Sequence, residues 1–103
     1  HMAVGSAFRA LGCSVEASQS PRAGLPDLAC GFAGRTHLVE VKADTKLKAH
    51  TRSEAQDRFA MSWRGGVVPV VRNVDDAAAL VILWRNEQIQ EHKAARALAG
   101  SNP

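Results

Sequence analysis

Apolar residues recur along the first part of this chain with the period of a helix and then with the period of a strand. Residues 3–11 carry Val4 and Phe8 on one helical face. Gly12 then suits the end of that helix, because glycine readily adopts the left-handed backbone of a helix C-terminus. Residues 13–19 alternate between apolar or small and polar side chains, which predicts a first strand.

Two further strands are predicted on either side of a hairpin turn. The second covers residues 27–32 and follows Pro26 directly, where a missing N–H does no harm to a sheet. Residues 33–35 contain a glycine and fit a hairpin turn. The third strand covers residues 36–43 and is the most apolar of the three.

A polar loop and a helix follow the third strand. Residues 44–52 are rich in basic side chains and predict a loop. The helix runs to about Trp63, and either Thr51 or Ser53 can cap it. If Ser53 is the cap, Gln56 lies three residues later at the spacing of a capping box. Ala55, Phe59 and Trp63 then form the apolar stripe of this helix.

The last third of the chain predicts one more strand and a helix. Residues 67–71 indicate a buried fourth strand, in which Pro69 favours an edge position or a bulge. A helix begins near Asp75, and residues 86–103 predict a C-terminal helix or tail. The order αβββαβα predicts an α/β fold, a small mixed β-sheet flanked by helices, within a single domain over residues 1–103. Residues 1–2 look like the remnant of a tag.

Composition narrows the function classes only modestly. The formal net charge is +3 over 103 residues, which suits a polyanionic partner without requiring one. We expect no membrane insertion, because no apolar run reaches spanning length. Cys13 and Cys30 lack metal-site spacing, so we expect two reduced core cysteines in a cytoplasmic protein of a bacterial or phage-infected cell.

Two acids and a lysine are the candidate chemistry. Asp27 opens the second strand, while Glu40 and Lys42 lie on one face of the third strand and Val39 and Val41 point into the core. Two converging carboxylates form an oxygen-rich site for a divalent cation, and a neighbouring lysine can stabilise phosphoryl charge. The alternatives are a turn carboxylate at Asp27 and a Glu40–Lys42 ion pair.

This spacing resembles the PD-(D/E)XK nuclease superfamily, and in particular its stand-alone VRR-NUC branch, which is similar to Holliday-junction resolvases. The resemblance covers about residues 22–80. It rests on Gly24-Leu25-Pro26-Asp27-Leu28, on Glu40-Val41-Lys42, on Ser53, Gln56 and Phe59, and on Gly65-Gly66-Val67-Val68-Pro69-Val70-Val71-Arg72.

The resemblance implies a restriction-endonuclease-like core and a Mg²⁺ or Mn²⁺ cofactor. It assigns the metal to Asp27, Glu40 and the Val41 carbonyl, and catalysis to Asp27, Glu40, Lys42 and Gln56. Many members carry an acid on the first helix, and residues 3–11 contain none. Glu16 is the nearest acid, and it either replaces that group or faces solvent.

The resemblance implies a structure-selective DNA endonuclease that acts as a homodimer on branched DNA such as Holliday junctions. Residues 80–84 are the candidate dimer surface. Alternatives are a flap or nicking nuclease, a sequence-specific restriction enzyme, or a non-catalytic DNA-binding module on the same fold. Branched or duplex DNA would be contacted through phosphates by four basic residues, unless these form a solvated loop: Arg22, Lys46, Lys48 and Arg52.

Overall fold

A computed structural model of the chain describes residues 2–18, 24–42 and 53–100. Within these ranges the predicted order αβββαβα and the mixed α/β class are confirmed. The elements are α1 (Met2–Ala10), β1 (Ser14–Ala17), β2 (Leu28–Phe32), β3 (Arg35–Val41), α2 (Glu54–Ser62), β4 (Val70–Val71) and α3 (Val74–Gly100).

The four described strands lie in one sheet in the order β1-β2-β3-β4. The first three are antiparallel neighbours, and β2 and β3 are joined by the predicted hairpin turn. β4 pairs with β3 in parallel, which requires a crossover, and α2 lies within that connection. The topology therefore combines a meander with one parallel edge strand.

The edge strand β4 is shorter than predicted. It begins directly after Pro69, which confirms the expected edge position. The prediction that residues 67–71 form a buried strand is wrong at its start, because Val67 is 88% exposed. Pro69 still joins the sheet through its carbonyl, which accepts a hydrogen bond from the Glu40 N–H at 2.9 Å.

The hydrophobic core lies on one face of the sheet, between the strands and helices α1 and α3. Val39 and Val41 are buried there, as the alternation of β3 predicts. Phe8 of α1 stacks on Trp84 of α3 with ring centroids 5.8 Å apart. Cys13 and Cys30 are buried free cysteines, which confirms their predicted core role.

The prediction of an apolar surface at residues 80–84 is wrong for Trp84. This residue is only 6% exposed, and its ring also stacks on His37 with centroids 3.9 Å apart. Its position follows from the helical period, which turns Trp84 toward the sheet along with Ala77 and Val81. Ile82 and Leu83 are 55% and 51% exposed and remain the outward-facing apolar side chains of this segment.

Helix α3 runs without interruption through both predicted C-terminal segments. No glycine or proline occurs between Val74 and Ala99, so nothing in the sequence stops the helix near Asn86. Every residue from Arg85 to Gly100 is exposed. The described molecule is accordingly elongated, with principal extents of 57 × 29 × 25 Å.

Helix α2 carries the predicted cap but packs more loosely than its stripe suggests. Ser53 is the N-cap and forms a capping box with Gln56, as predicted. Phe59 stacks on Trp63 with centroids 5.4 Å apart, yet Trp63 is 43% exposed and no residue of α2 is buried. Neither this helix nor any other in the described ranges has the length and apolar character needed to cross a membrane.

Candidate metal centre

The sheet register brings Asp27 and Glu40 side by side. Leu28 pairs with Val39 in the antiparallel ladder between β2 and β3. One further step along this register sets Asp27 directly opposite Glu40, so both carboxylates lie on the same face of the sheet. This face is the one opposite to the core that α1 and α3 cover. The predicted convergence of the two acids is therefore present.

Asp27 is fixed by hydrogen bonds from both neighbouring strands. Its carbonyl accepts from the Ser18 N–H at 2.8 Å, which continues the pairing with β1. Its Oδ2 accepts from the Val41 N–H at 2.8 Å. The next register position of β2 is Pro26, and the Asp27 side chain takes the place of a main-chain partner for Val41. The predicted backbone role of Asp27 is thus real, and a carboxylate with about four lone-pair sites can still bind a cation.

Glu40 is a buried acid whose charge is poorly compensated. It is 1% exposed, and its Oε1 has no hydrogen-bond partner among the described residues. Burial, together with a hydrogen bond to the adjacent Asp27 carboxyl and the negative charge of that carboxyl, raises the pKa of Glu40 to about 7. Such a site favours either a proton or a metal ion at Glu40.

Lys42 lies close to this acid without pairing with it. Its charge lowers the pKa of Glu40, but burial and Asp27 outweigh that effect. No Glu40–Lys42 ion pair within 4.0 Å occurs among the ion pairs of the described residues. The Lys42 N–H donates to the Val71 carbonyl at 3.0 Å, so the backbone is held while the half-exposed side chain remains available. The predicted ion pair is therefore not formed.

The Val41 carbonyl is directed toward the same edge of β3 as Asp27. In an extended strand, the N–H and C=O of one residue point to the same side. Because the Val41 N–H reaches Asp27, its carbonyl also points to the β2 side of the strand. This orientation is compatible with the ligand role that the resemblance implies.

Gln56 is engaged in the cap of α2. Its Oε1 accepts from the Ser53 N–H at 2.8 Å, and its own N–H donates to the Ser53 Oγ at 3.2 Å. The capping box therefore uses the amide oxygen and does not use the side-chain nitrogen. A catalytic role for Gln56 stays a prediction.

Glu16 shares a sheet face with the two acids but does not join them. It pairs with Ala29, two register positions from Asp27, and its side chain is exposed. No set of three His, Cys, Asp or Glu side chains converges on a metal-sized site in the described ranges. Among the described residues the candidate centre thus comprises two carboxylates and a carbonyl, and Glu16 does not supply the acid that the resemblance places on the first helix.

Gly24 is a positioning residue that the motif alone does not reveal. Its φ is +89°, and an added Cβ would lie 2.5 Å from the Ala55 carbonyl oxygen. The turn that leads into Asp27 is consequently packed against the first turn of α2. A glycine three residues before Asp27 was visible in the sequence, but its contact with a distant helix was not.

The donor set fits a hard divalent cation. Carboxylate and carbonyl oxygens are the ligands that Mg²⁺ and Mn²⁺ prefer, and the orphaned Glu40 Oε1 lacks the partner that such an ion would supply.

The four predicted phosphate contacts, Arg22, Lys46, Lys48 and Arg52, lie outside the described residues. Comparison with protein-family models, with characterised proteins and with solved structures finds no significant match to this chain.

Proposed function

We propose that this protein is a Mg²⁺- or Mn²⁺-dependent, structure-selective DNA endonuclease. The observation that carries the proposal is the buried Glu40 carboxyl, which lies opposite Asp27 with an oxygen that no described residue satisfies. Burying a carboxyl with one unsatisfied oxygen costs free energy, and a bound cation would offset that cost. Lys42 on the same sheet face supports phosphoryl chemistry rather than a purely structural ion.

Each residue of the centre has a separate task in this proposal. Asp27, Glu40 and the Val41 carbonyl hold the cation, and the Val41 N–H keeps Asp27 oriented. The bound ion would neutralise phosphate charge and lower the pKa of a water molecule. Lys42 orients the attacking water and stabilises the charge that develops on the phosphate oxygens.

The finer fold assignment is a restriction-endonuclease-like core. Three antiparallel strands, a helical connection and a parallel fourth strand agree with the element order that the resemblance implies. The acids lie where β2 begins and β3 ends, which are neighbouring points of the sheet. The sequence motif and the position of its residues thus support the same family.

The proposed substrate is branched DNA, such as a Holliday junction, and the proposed active form is a homodimer. A junction requires two opposed cuts, which a two-fold dimer provides through one repeated surface. Trp63, Val67 and Leu83 line one groove beside α3 and are all exposed. These side chains replace Trp84 as the candidate apolar dimer surface.

The alternatives are a monomeric flap or nicking nuclease and a non-catalytic DNA-binding module. The complete set of Asp27, Glu40 and Lys42 favours a catalytic protein over the module. A junction resolvase and a flap or nicking nuclease would use the same centre. Only the DNA structure that the protein cuts distinguishes them.

Cleavage assays on a four-way junction, a flap and a linear duplex test the proposal. Wild-type protein should cut in Mg²⁺ and not in chelator, while Asp27→Asn and Glu40→Gln should bind DNA without cutting it. Glu16→Gln is the matched control, because it removes an exposed acid from the same sheet face. Normal Mg²⁺-dependent cleavage by Asp27→Asn or Glu40→Gln would show that the metal assignment is wrong.

A further inference from the structure

The exposed half of α3 carries a cationic stripe that contains none of the predicted site residues. Arg85, Ile89, His92 and Arg96 follow one another at spacings of four, three and four residues, which places them on one helical face. Lys93 lies next to this face. The stripe, defined by Arg85, His92, Lys93 and Arg96, extends about 16 Å along the helix axis.

The basic side chains of the stripe differ from most other described cations in having no protein partner. Arg35, Arg58 and Arg72 form ion pairs with Glu91, Glu54 and Asp76. Arg9 donates to the Val15 carbonyl. Arg85, Lys93 and Arg96 take part in none of the ion pairs or hydrogen bonds of the described residues. Their charge is therefore available to an external anion.

The residues on the opposite side of the same helix argue against binding of the stripe to a membrane surface. Glu87 and Glu91 lie there, roughly half a turn away from the stripe. An interfacial membrane helix needs large apolar side chains opposite its basic face, and two acids do not supply them. Pairing of two α3 helices in a coiled coil is also disfavoured. Such a coil would need the apolar repeat of Ile82 and Ile89 to continue along the helix, and His92 and Arg96 interrupt it.

The stripe lies at the far end of the molecule from the metal centre. Helix α3 begins beside Val41 and Lys42 and runs back along the sheet to the β2–β3 hairpin, where Glu91 pairs with Arg35. Asp27 and Glu40 are at the other end of these strands, about 17 Å away at the rise of a strand. A DNA phosphate on the stripe is thus well separated from a phosphate at the metal centre.

We propose that the projecting half of α3 is a second DNA-binding surface, which binds duplex phosphates through Arg85, His92, Lys93 and Arg96. This inference rests on the proposed nuclease function and adds to it a contact remote from the cleaved bond. Such a contact carries no sequence information and contributes affinity that falls with salt. On branched DNA it would hold duplex at a distance from the strand that is cut.

The test compares Lys93→Gln/Arg96→Gln with the charge-matched control Arg9→Gln/Arg58→Gln. Binding of labelled duplex and four-way junction is measured by fluorescence anisotropy in chelator, over a series of salt concentrations. The stripe variant should lose on the order of tenfold in affinity, and its salt slope should fall by about 0.9 per lost phosphate contact. The control should bind like wild type, and circular dichroism should show unchanged helix in both.

Kinetics in Mg²⁺ separate this proposal from the nuclease proposal. The stripe variant should raise KM and leave kcat unchanged, whereas failure of the nuclease proposal shows as wild-type protein that binds DNA without cutting it in Mg²⁺. Equal DNA affinity of the stripe variant and its control overturns the stripe proposal. The stripe proposal is also overturned if the stripe variant keeps its DNA affinity but loses self-association in light scattering. It is overturned as well if wild-type protein binds anionic vesicles in preference to DNA.

Discussion

At the scale of single residues, the ionisation of Glu40 links the stability of the protein to its proposed function. Burial and Asp27 raise the pKa of Glu40 from an ordinary 4.5 to about 7 in the folded protein. The folded state then holds a proton that the unfolded chain releases, so the contribution of Glu40 to the stability of the metal-free protein is fully present below its ordinary pKa. This contribution is lost as pH rises from about 4.5 to about 7.

Glu40→Gln should therefore stabilise the metal-free protein above pH 7 and have little effect near pH 5. The amide removes the buried charge, and it can donate a hydrogen bond to Asp27. Thermal denaturation in chelator measures this, with Glu16→Gln as the exposed control. Adding Mg²⁺ should raise the Tm of wild type but not of Glu40→Gln. A pH-independent effect of Glu40→Gln would contradict the proposed ionisation.

Lys42→Ala should keep the fold and the metal but lose most of the cleavage rate. A positioned cation of this kind contributes on the order of 10²-fold or more to the rate. Because Lys42 makes no ion pair with Glu40, its removal should cost little stability, and the Mg²⁺-dependent rise in Tm should persist. Single-turnover cleavage and circular dichroism are the measurements. An unchanged rate with a wild-type spectrum would leave Lys42 without a catalytic role.

At the scale of elements, sequence patterns predict those features that depend on neighbouring residues in the chain, such as strand orientation and helix capping. The alternation of β3 predicts the opposite orientations of Val41 and Glu40, and the Ser53–Gln56 spacing predicts the cap of α2. Trp84 could not be placed in the same way, because its burial depends on aromatic partners from α1 and the sheet. Likewise, the orphaned oxygen of Glu40 depends on how neighbouring strands fill the space around it.

The turn before Asp27 shows how a contact between distant elements positions the site. Gly24→Ala should disrupt it, because alanine is strained at positive φ and its Cβ would meet the Ala55 backbone. Gly34→Ala is a matched control, since Gly34 also has positive φ but no heavy atom within 4 Å of an added Cβ.

The two alanine variants should differ in both stability and activity. Gly34→Ala should cost about 1 kcal/mol, the usual penalty for a left-handed alanine. Gly24→Ala should cost clearly more and also lower Mg²⁺-dependent cleavage by moving Asp27. Chemical denaturation and cleavage rates measure the two effects. Equal losses for both variants would show that the contact with α2 does not position the centre.

At the scale of the whole molecule, the proposed substrate depends on assembly. One domain with one centre makes one cut, and the apolar groove lined by Trp63, Val67 and Leu83 is the surface on which a second copy could be seated. Exposed apolar side chains that cluster in this way are typical of protein–protein contacts. The groove lies beside α3, so a dimer formed there would leave the outward cationic stripe available to DNA.

We therefore predict that Leu83→Asp shifts a wild-type homodimer to monomer at micromolar concentration. Ile82→Asp is the matched control, because Ile82 is 55% exposed on the neighbouring side of α3 and does not line the groove. Sedimentation or light scattering gives the mass of each variant. Wild type and Ile82→Asp should bind a four-way junction more tightly than linear duplex of equal length, and Leu83→Asp should lose that preference. A monomeric wild type with equal affinity for both DNAs would exclude a junction resolvase and leave the flap or nicking nuclease, since a single centre suffices for one cut.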